Sequence, residues 1–115
     1  MAGRPSVARR VRRYDAYLVT LDPVQGSEIA KTHPCVVVSP DELNDILRTV
    51  IIVLITTTRD LYDFRVPSFF GGRQDDFAVD NLRPVDRSRL VRRLRTIDAP
   101  SRAALAAKLV ETFQL

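Results

Sequence analysis

The sequence contains few of the residue types that cross-link a small protein or give it a metal site. It has one cysteine, Cys35, one histidine, His33, and no tryptophan. A single cysteine excludes an intramolecular disulfide, and no Cys/His spacing suits zinc, so neither a disulfide framework nor a metal site is predicted. The longest apolar run, residues 50–55, is far shorter than the ~18 residues of a membrane span. Because no apolar segment follows the N-terminal arginines, we expect no secretory signal and a cytoplasmic location.

The length and the charge distribution predict one folded domain with a basic tail. A chain of 115 residues can bury one modest core without cross-links. Residues 1–13 contain five arginines and no acid, whereas residues 14–115 contain 13 basic and 14 acidic residues. The net charge of +4 therefore comes from the tail. We expect residues 1–13 to be loosely held and residues 14–115 to form the domain.

Short β-branched segments separated by Pro and Gly turns predict an antiparallel β-protein rather than a parallel sheet. The strongest strand signal is TVIIVLITT, residues 49–57. One helix is predicted at the C-terminus, where Asp98 can cap it and where Leu105, Leu109 and Phe113 recur on one face. The predicted strands are residues 14–21, 34–39, 48–57, 62–66, 77–82 and 91–97.

Most of the residues suited to chemistry lie in one polar loop, residues 24–33, between the first two predicted strands. Gly26 can adopt a positive φ, Glu28 can accept a proton, and Lys31 can contact a phosphate. His33 adds an imidazole, a group that gains and loses a proton near neutral pH. All of these residue types are also common on solvated loops, so both interpretations stay open at this point.

A second group of basic residues lies near the C-terminal end of the chain and includes a single acid, Asp86. Guanidinium groups bind oxyanions through a planar fork of donors, so such a cluster favours a phosphate-rich partner. A solvated surface is an equally good explanation. The cluster consists of Arg83, Arg87, Arg89, Arg92, Arg93 and Arg95.

Four blocks of the sequence resemble the MazF/PemK toxins of type II toxin–antitoxin systems. They are YLVTLDPVQGSEIAKTHPCVVVSPDELN, LRTVIIVLITTT, FRVP and VDNLRPVDRSRLVRRL. The resemblance implies an α+β, mainly β fold: an SH3-like small antiparallel barrel of the CcdB/MazF kind, with a C-terminal helix, forming a homodimer. It also implies a metal-independent, sequence-specific endoribonuclease that needs no cofactor. Such a toxin cleaves single-stranded RNA, mRNA in particular, and is neutralised by a MazE-like antitoxin.

The resemblance implies three catalytic positions and five contacts to the nucleic acid. In this family the RNA 2′-OH attacks the adjacent phosphate and leaves a 2′,3′-cyclic phosphate and a 5′-OH. Such a reaction needs a base for the 2′-OH proton, an acid for the leaving oxygen, and donors for the charge that develops on the phosphate. The implied catalytic residues are His33, Thr56 and Glu28. The implied nucleic-acid contacts are Lys31, Gly26, Thr57, Asp80 and Asn81.

Two positions depart from the family pattern. His33 stands where an arginine is usual, and Leu54 stands where a proline is usual. An arginine holds a phosphate with a permanent charge, whereas a histidine loses that charge but can transfer protons. We therefore hypothesise that His33 is a general acid or base, with Thr56 and a basic side chain holding the phosphate.

Two other functions remain open from the sequence. A CcdB-like poison of DNA gyrase would share the fold, but those proteins end in Trp-Gly-Ile and this chain ends in Phe-Gln-Leu. A catalytically weakened RNA- or protein-binding barrel is the other alternative, because His33 replaces the family arginine.

Overall fold

A computed structural model describes residues 10–21, 31–56, 65–70 and 73–114. Within these ranges, six strands form one antiparallel sheet and two segments are α-helical. The strands are β1 (Asp15–Thr20), β2 (Thr32–Val37), β3 (Thr49–Thr56), β4 (Arg65–Phe70), β5 (Arg73–Asp86) and β6 (Leu90–Thr96), and the helices are α1 (Asp41–Ile46) and α2 (Ala99–Phe113). The spatial order is β4-β5-β3-β2-β1-β6. This arrangement confirms the predicted mainly-β fold with a C-terminal helix.

Alternation along the strands places apolar side chains on both faces of the sheet. One face, which we call the helix face, carries Val36, Val53 and Phe77, and these pack in one cluster with Leu105 of α2. The opposite face, which we call the His33 face, carries the second cluster, including Cys35 and Ile52. Because β-branched residues pack well on a pleated surface, the VIIVLI run of β3 supplies side chains to both clusters.

The strand β5 is longer than predicted and is interrupted by a bulge. Val53 of β3 pairs with Leu82, but the next residue, Leu54, pairs with Ala78, so residues 79–81 have no counterpart on β3. Pro84 lies beyond the part of β5 that pairs with β4, which ends at Ala78. Pro84 pairs with Ile51 of β3, and among the described strands β5 has no second neighbour at this point, a position where a proline is tolerated.

The helix α1 begins differently from the prediction. A serine followed by a proline, as in Ser39-Pro40, predicts a capping serine with the proline at the first helical position, but Pro40 is itself the N-cap and no side-chain hydrogen bond caps this helix. The Ser39 hydroxyl instead donates to Asn44 Oδ1 at 2.5 Å and accepts from the Ile51 N–H at 3.0 Å. The hydroxyl therefore ties α1 to β3, a tertiary contact that the local sequence does not specify.

The folded chain starts before Tyr14. Val11 is 6% exposed and packs in the cluster of the His33 face. Arg10 pairs with Asp45, and the Arg13 N–H donates to Asp41 at 2.7 Å. The expectation of a loose tail up to residue 13 is therefore wrong for residues 10–13, because one buried valine and contacts to α1 anchor them. Residues 1–9 lie outside the described residues.

The C-terminal helix forms as its sequence predicts. Asp98 is the N-cap and its carboxylate accepts a hydrogen bond from the Ser101 N–H at 2.8 Å. Leu105 is fully buried against the sheet, whereas Phe113, predicted on the same apolar face, is 65% exposed. Neither described helix is long and apolar enough to cross a membrane.

Candidate functional site

His33 lies in a strand and not in the loop where the sequence placed it. It is the second residue of β2, it is half-buried, and it pairs with Val19 of β1. Cys35 and Val37 of the same strand belong to the cluster of the His33 face. Since every second residue of a strand points to the same side, the imidazole stands on that face at the end of the strand.

Thr56 reaches the same end of the same face from the next strand. The β2–β3 ladder runs as far as the pair of Cys35 and Leu54. Two residues beyond that pair stand His33 on β2 and Thr56 on β3. Leu54 and Ile52 lie with the cluster of the His33 face, so alternation places Thr56 on that face as well. The structure thus brings together two of the three predicted catalytic residues.

Asp76 is a third polar residue at this position, and sequence reasoning missed it. It pairs directly with Thr56 across β3 and β5, and directly paired residues point to the same face. It is only 5% exposed. Among the described residues, none gives the Asp76 carboxylate a hydrogen bond or a salt bridge. Burial of an acid on a strand is unusual, but the only signal in the sequence was a charged pair, Asp75-Asp76, directly before the predicted strand of residues 77–82.

The predicted nucleic-acid contacts are partly described. Lys31 is exposed immediately before β2, two residues from His33. Asp80 and Asn81 are both exposed and lie in the bulge of β5. The bulge adjoins the pair of Leu54 and Ala78, two residues along each strand from Thr56 and Asp76. Gly26, Glu28 and Thr57 lie outside the described residues, so their predicted roles stay predictions.

Arg83 is a second residue of the His33 face, after Asp76, that the family resemblance did not imply as a site residue. It pairs with Ile52 of β3, which lies in the cluster of the His33 face, and its side chain is partly buried. Its guanidinium lowers the pKa of the Cys35 thiol, although burial dominates and raises that pKa to about 12. Arg83 is therefore close enough to act electrostatically on Cys35, which is two residues from His33. In the described part of the chain no carboxylate pairs with it.

Cys35 is a structural residue of the core. It is fully buried, and its thiol donates to the His33 carbonyl oxygen at 3.6 Å. A thiol with a pKa of about 12 carries almost no thiolate at neutral pH, and the thiolate is the nucleophilic form. Within the described residues, no three His, Cys, Asp or Glu side chains are grouped so that they could hold a metal ion.

The remaining arginines of the C-terminal cluster mostly hold the fold together. Arg93 donates to both carboxylate oxygens of the buried Asp15, at 3.1 and 3.3 Å. Arg87 donates to the Asn44 carbonyl oxygen, and Arg89 to that of Thr20. The structural explanation therefore holds for much of this cluster. Arg83 differs in that it lies on the His33 face and no carboxylate of the described residues pairs with it.

The row formed by His33, Thr56 and Asp76 contains the groups that a phosphodiester transesterification needs. An imidazole and a carboxylate can each exchange a proton, and a hydroxyl between them can donate to a phosphate oxygen. Arg83 adds a permanent positive charge on the same face, opposite Ile52, which is four residues from Thr56 along β3. A small antiparallel β-protein with such a site fits a nucleic-acid-processing toxin of the MazF kind.

Comparison with known proteins shows the family. Residues 12–113 match the model of the PemK-like, MazF-like toxins of type II toxin–antitoxin systems, and the chain belongs to this family. It is 32% identical to the endoribonuclease MazF of Staphylococcus epidermidis over 88 residues, which are 76% of this chain and 68% of that protein. These matches support the MazF interpretation over the gyrase-poison alternative.

Solved structures share the fold. MazF from Deinococcus radiodurans superposes with a TM-score of 0.75 at 22% identity, covering 93% of this chain and 99% of that one. An endoribonuclease from Mycobacterial species, in complex with its cognate antitoxin, superposes with a TM-score of 0.75 at 20% identity, covering 90% and 95%. The same architecture in these chains confirms the fold predicted from the resemblance.

Proposed function

We propose that this chain is the toxin of a type II toxin–antitoxin system and acts as an endoribonuclease on single-stranded RNA. The observation that carries the proposal is the family membership of residues 12–113, together with the placement of His33 and Thr56 at one end of one sheet face. The MazF of Staphylococcus epidermidis, a relative at 32% identity, is an endoribonuclease by name. Position 33 carries a half-buried imidazole, which can still transfer a proton to or from a phosphodiester. This supports the proposal that the activity is retained.

The reaction is a transesterification within the RNA. The 2′-oxygen attacks the adjacent phosphorus while its proton passes to a base. The bond from phosphorus to the 5′-oxygen breaks, and that oxygen receives a proton from an acid. The products are a 2′,3′-cyclic phosphate and a 5′-OH. His33 transfers one of these protons, and Thr56 and Arg83 donate to the phosphate oxygens as their charge increases.

The proposed antitoxin partner and the proposed homodimer also follow from membership of the MazF/PemK family. Solved relatives include a complex of an endoribonuclease with its cognate antitoxin and MazE-MazF complexes from Deinococcus radiodurans. The proposed inhibitor of this chain is therefore a MazE-like antitoxin, and the active form is a cytoplasmic homodimer. Lys31, Asp80 and Asn81, all exposed near the row, are the proposed contacts to the RNA, with Gly26 and Thr57 as further predicted contacts and Glu28 as a predicted loop acid.

The test is cleavage of a long single-stranded RNA by purified protein in EDTA, followed by analysis of the fragment ends. The proposal expects discrete fragments with 2′,3′-cyclic phosphates and 5′-OH groups, and arrest of growth when the gene is induced without its antitoxin. A supercoiling assay with gyrase serves as the comparison. Intact RNA under all conditions, with RNA still bound, would instead favour the catalytically silent barrel.

A further inference from the structure

The row at the end of the His33 face has a feature that the family motifs do not include. Asp76 on β5, Thr56 on β3 and His33 on β2 occupy three successive strands of the sheet. The hydroxyl thus stands between a carboxylate on one side and an imidazole on the other. The pairing of Thr56 with Asp76 is direct, and His33 is reached by following the β2–β3 ladder two residues past its last pair.

The spacing of the row suits an in-line displacement. Paired strands lie about 4.8 Å apart, so the backbones of β2 and β5 are roughly 10 Å apart across β3 where both ladders run. At that separation a short side chain on β2 cannot hydrogen-bond to a short side chain on β5. The space between them leaves room for a phosphate. His33 and Thr56 follow two residues after the last pair of the β2–β3 ladder. In an in-line reaction the attacking and leaving oxygens are on opposite sides of phosphorus, and each needs a proton-transfer group within about 2.6–3.2 Å.

The state of Asp76 favours a chemical role over a structural one. Asp76 is 5% exposed, and no described side chain or backbone N–H pairs with its carboxylate. A buried carboxylate without a partner costs stability, and such costs concentrate where a protein performs chemistry. Asp15, the other aspartate that is buried among the described residues, shows the contrast, because Arg93 and Thr96 satisfy its carboxylate.

We propose that Asp76 is the general base of the reaction and that His33 is the general acid. This assignment rests on the ribonuclease function proposed above. The Asp76 carboxylate takes the proton of the 2′-OH as the 2′-oxygen bonds to phosphorus. The protonated imidazole of His33 gives its proton to the 5′-oxygen as the P–O5′ bond breaks. Thr56, between them, donates to a phosphate oxygen, and solvent restores both proton-transfer groups.

Other titratable groups that face this row do not replace either role. Arg83 stays charged at all working pH values, and the pKa of Cys35 is about 12. Tyr17 pairs with Cys35 on the same face, and a phenol ordinarily ionises only near pH ~10. Glu28 is the competing base that the family resemblance suggested, and it is therefore included in the test.

The experiment uses a short RNA built around a cleavage site mapped in the EDTA assay, and a matched RNA in which sulfur replaces the bridging 5′-oxygen. A thiolate leaves without receiving a proton, so the sulfur substrate needs a base but no acid. Asp76→Asn should lower kcat/KM on the oxygen substrate by about 10²–10⁴-fold and should stay slow on the sulfur substrate. His33→Gln should be slow on oxygen but within about tenfold of wild type on sulfur.

The pH profile gives a second readout. The wild-type profile should be bell-shaped, and Asp76→Asn should remove its low-pH limb while Asp76→Glu keeps that limb at a reduced rate. Glu42→Gln, which removes an exposed acid on α1, is the matched control and should behave as wild type. Unfolding midpoints of all variants show whether a loss of rate reflects a loss of fold.

The outcomes separate this inference from the proposed function. If the wild type cleaves RNA and Asp76→Asn cleaves it within about threefold of the wild-type rate, the base assignment is wrong and the ribonuclease function stands. The same conclusion follows if the sulfur substrate restores the rate of Asp76→Asn. Loss of the low-pH limb in Glu28→Gln but not in Asp76→Asn overturns it too. If wild-type protein cleaves neither substrate, both the function and the assignment are wrong.

Discussion

The guanidinium of Arg83 acts on the thiol of Cys35 from two strands away and opposes the rise in pKa that burial causes. Arg83 lies on the same sheet face as His33, Thr56 and Asp76, and its partner Ile52 is four residues from Thr56 along β3. The family usually provides a guanidinium at position 33, and this chain has an imidazole there. In the proposed mechanism the Arg83 side chain supplies, from another strand, the permanent charge that position 33 lacks.

Replacing Arg83 should weaken cleavage mainly through the loss of its charge. We expect Arg83→Gln to lower kcat/KM by roughly 10²-fold, a typical cost for one donor to a developing oxyanion. Arg83→Lys should lose less because it keeps the charge but not the fork of donors. Arg92→Gln, an exposed arginine of β6, is the charge-matched control. Equal rates for the Arg83 and Arg92 variants would show that Arg83 does not contact the phosphate.

The double variant tests whether the two positions share one role. His33→Arg returns a guanidinium to position 33, so it should restore part of the phosphate binding lost in Arg83→Gln. We expect the loss caused by Arg83→Gln to be smaller in the His33→Arg background than in wild type, a coupling that a double-mutant cycle measures. Additive losses would mean that the two positions act independently.

His33→Ala tests the imidazole directly. A proton-transfer group contributes about 10²–10⁴-fold to such reactions, so we expect a loss of that size in the cleavage of RNA with EDTA present. Unfolding by urea should be changed little, because His33 is half-buried at a strand end. Cleavage by His33→Ala at the wild-type rate would remove His33 from the mechanism.

The Cys35 thiol should resist alkylation. It is fully buried, so the reagent has little access to it. Its pKa is about 12, so very little of it is thiolate at pH 8. We expect iodoacetamide to leave the native protein unmodified over hours and to modify it at once in denaturant, as measured by mass. Rapid labelling of the native protein would indicate that the sheet opens near β2.

The ion pair of Asp15 and Arg93 should contribute more to stability than the pair of Asp45 and Arg10. The Asp15 side chain is 6% exposed and joins β1 to β6, and hydrogen bonds to charged groups are worth about 1.5–3 kcal/mol. Asp15→Ala should lower the free energy of unfolding by about that amount. Asp45→Ala should have a smaller effect because both partners are exposed. Equal losses would contradict this ranking.

The cap of α2 predicts a pH dependence of stability. Hydrogen bonds from Ser101 lower the pKa of Asp98. A carboxylate whose pKa is lowered by folding stabilises the protein above its unfolded value, about 3.9, and loses that contribution as pH falls through the folded value. The urea midpoints of wild type and Asp98→Asn should therefore differ most above pH 5 and converge in acid. A constant difference would show that charge is not involved.

Local signals in the sequence predicted most elements because each depends on neighbouring residues. β-branched runs predicted β1, β3 and β6, and the cap of α2 followed from Asp98 and its apolar face. The prediction failed where distant contacts decide: Ser39 bonds across to Ile51, and His33 belongs to β2 because it pairs with Val19. The family motifs pointed to His33 and Thr56. Asp76 lies outside the four matching blocks, and Arg83 lies in one of them without being implied as a site residue.

By itself the sequence determined the elements, the family and the presence of an imidazole in place of an arginine. Only the tertiary structure decided which side chains share a sheet face with this imidazole. The register of β3 against β5, and the bulge at residues 79–81, place Asp76 beside Thr56 and bring Arg83 onto the same face. Strand register depends on pairing between residues far apart in the chain, and a shift of one residue would turn all of these groups to the opposite face.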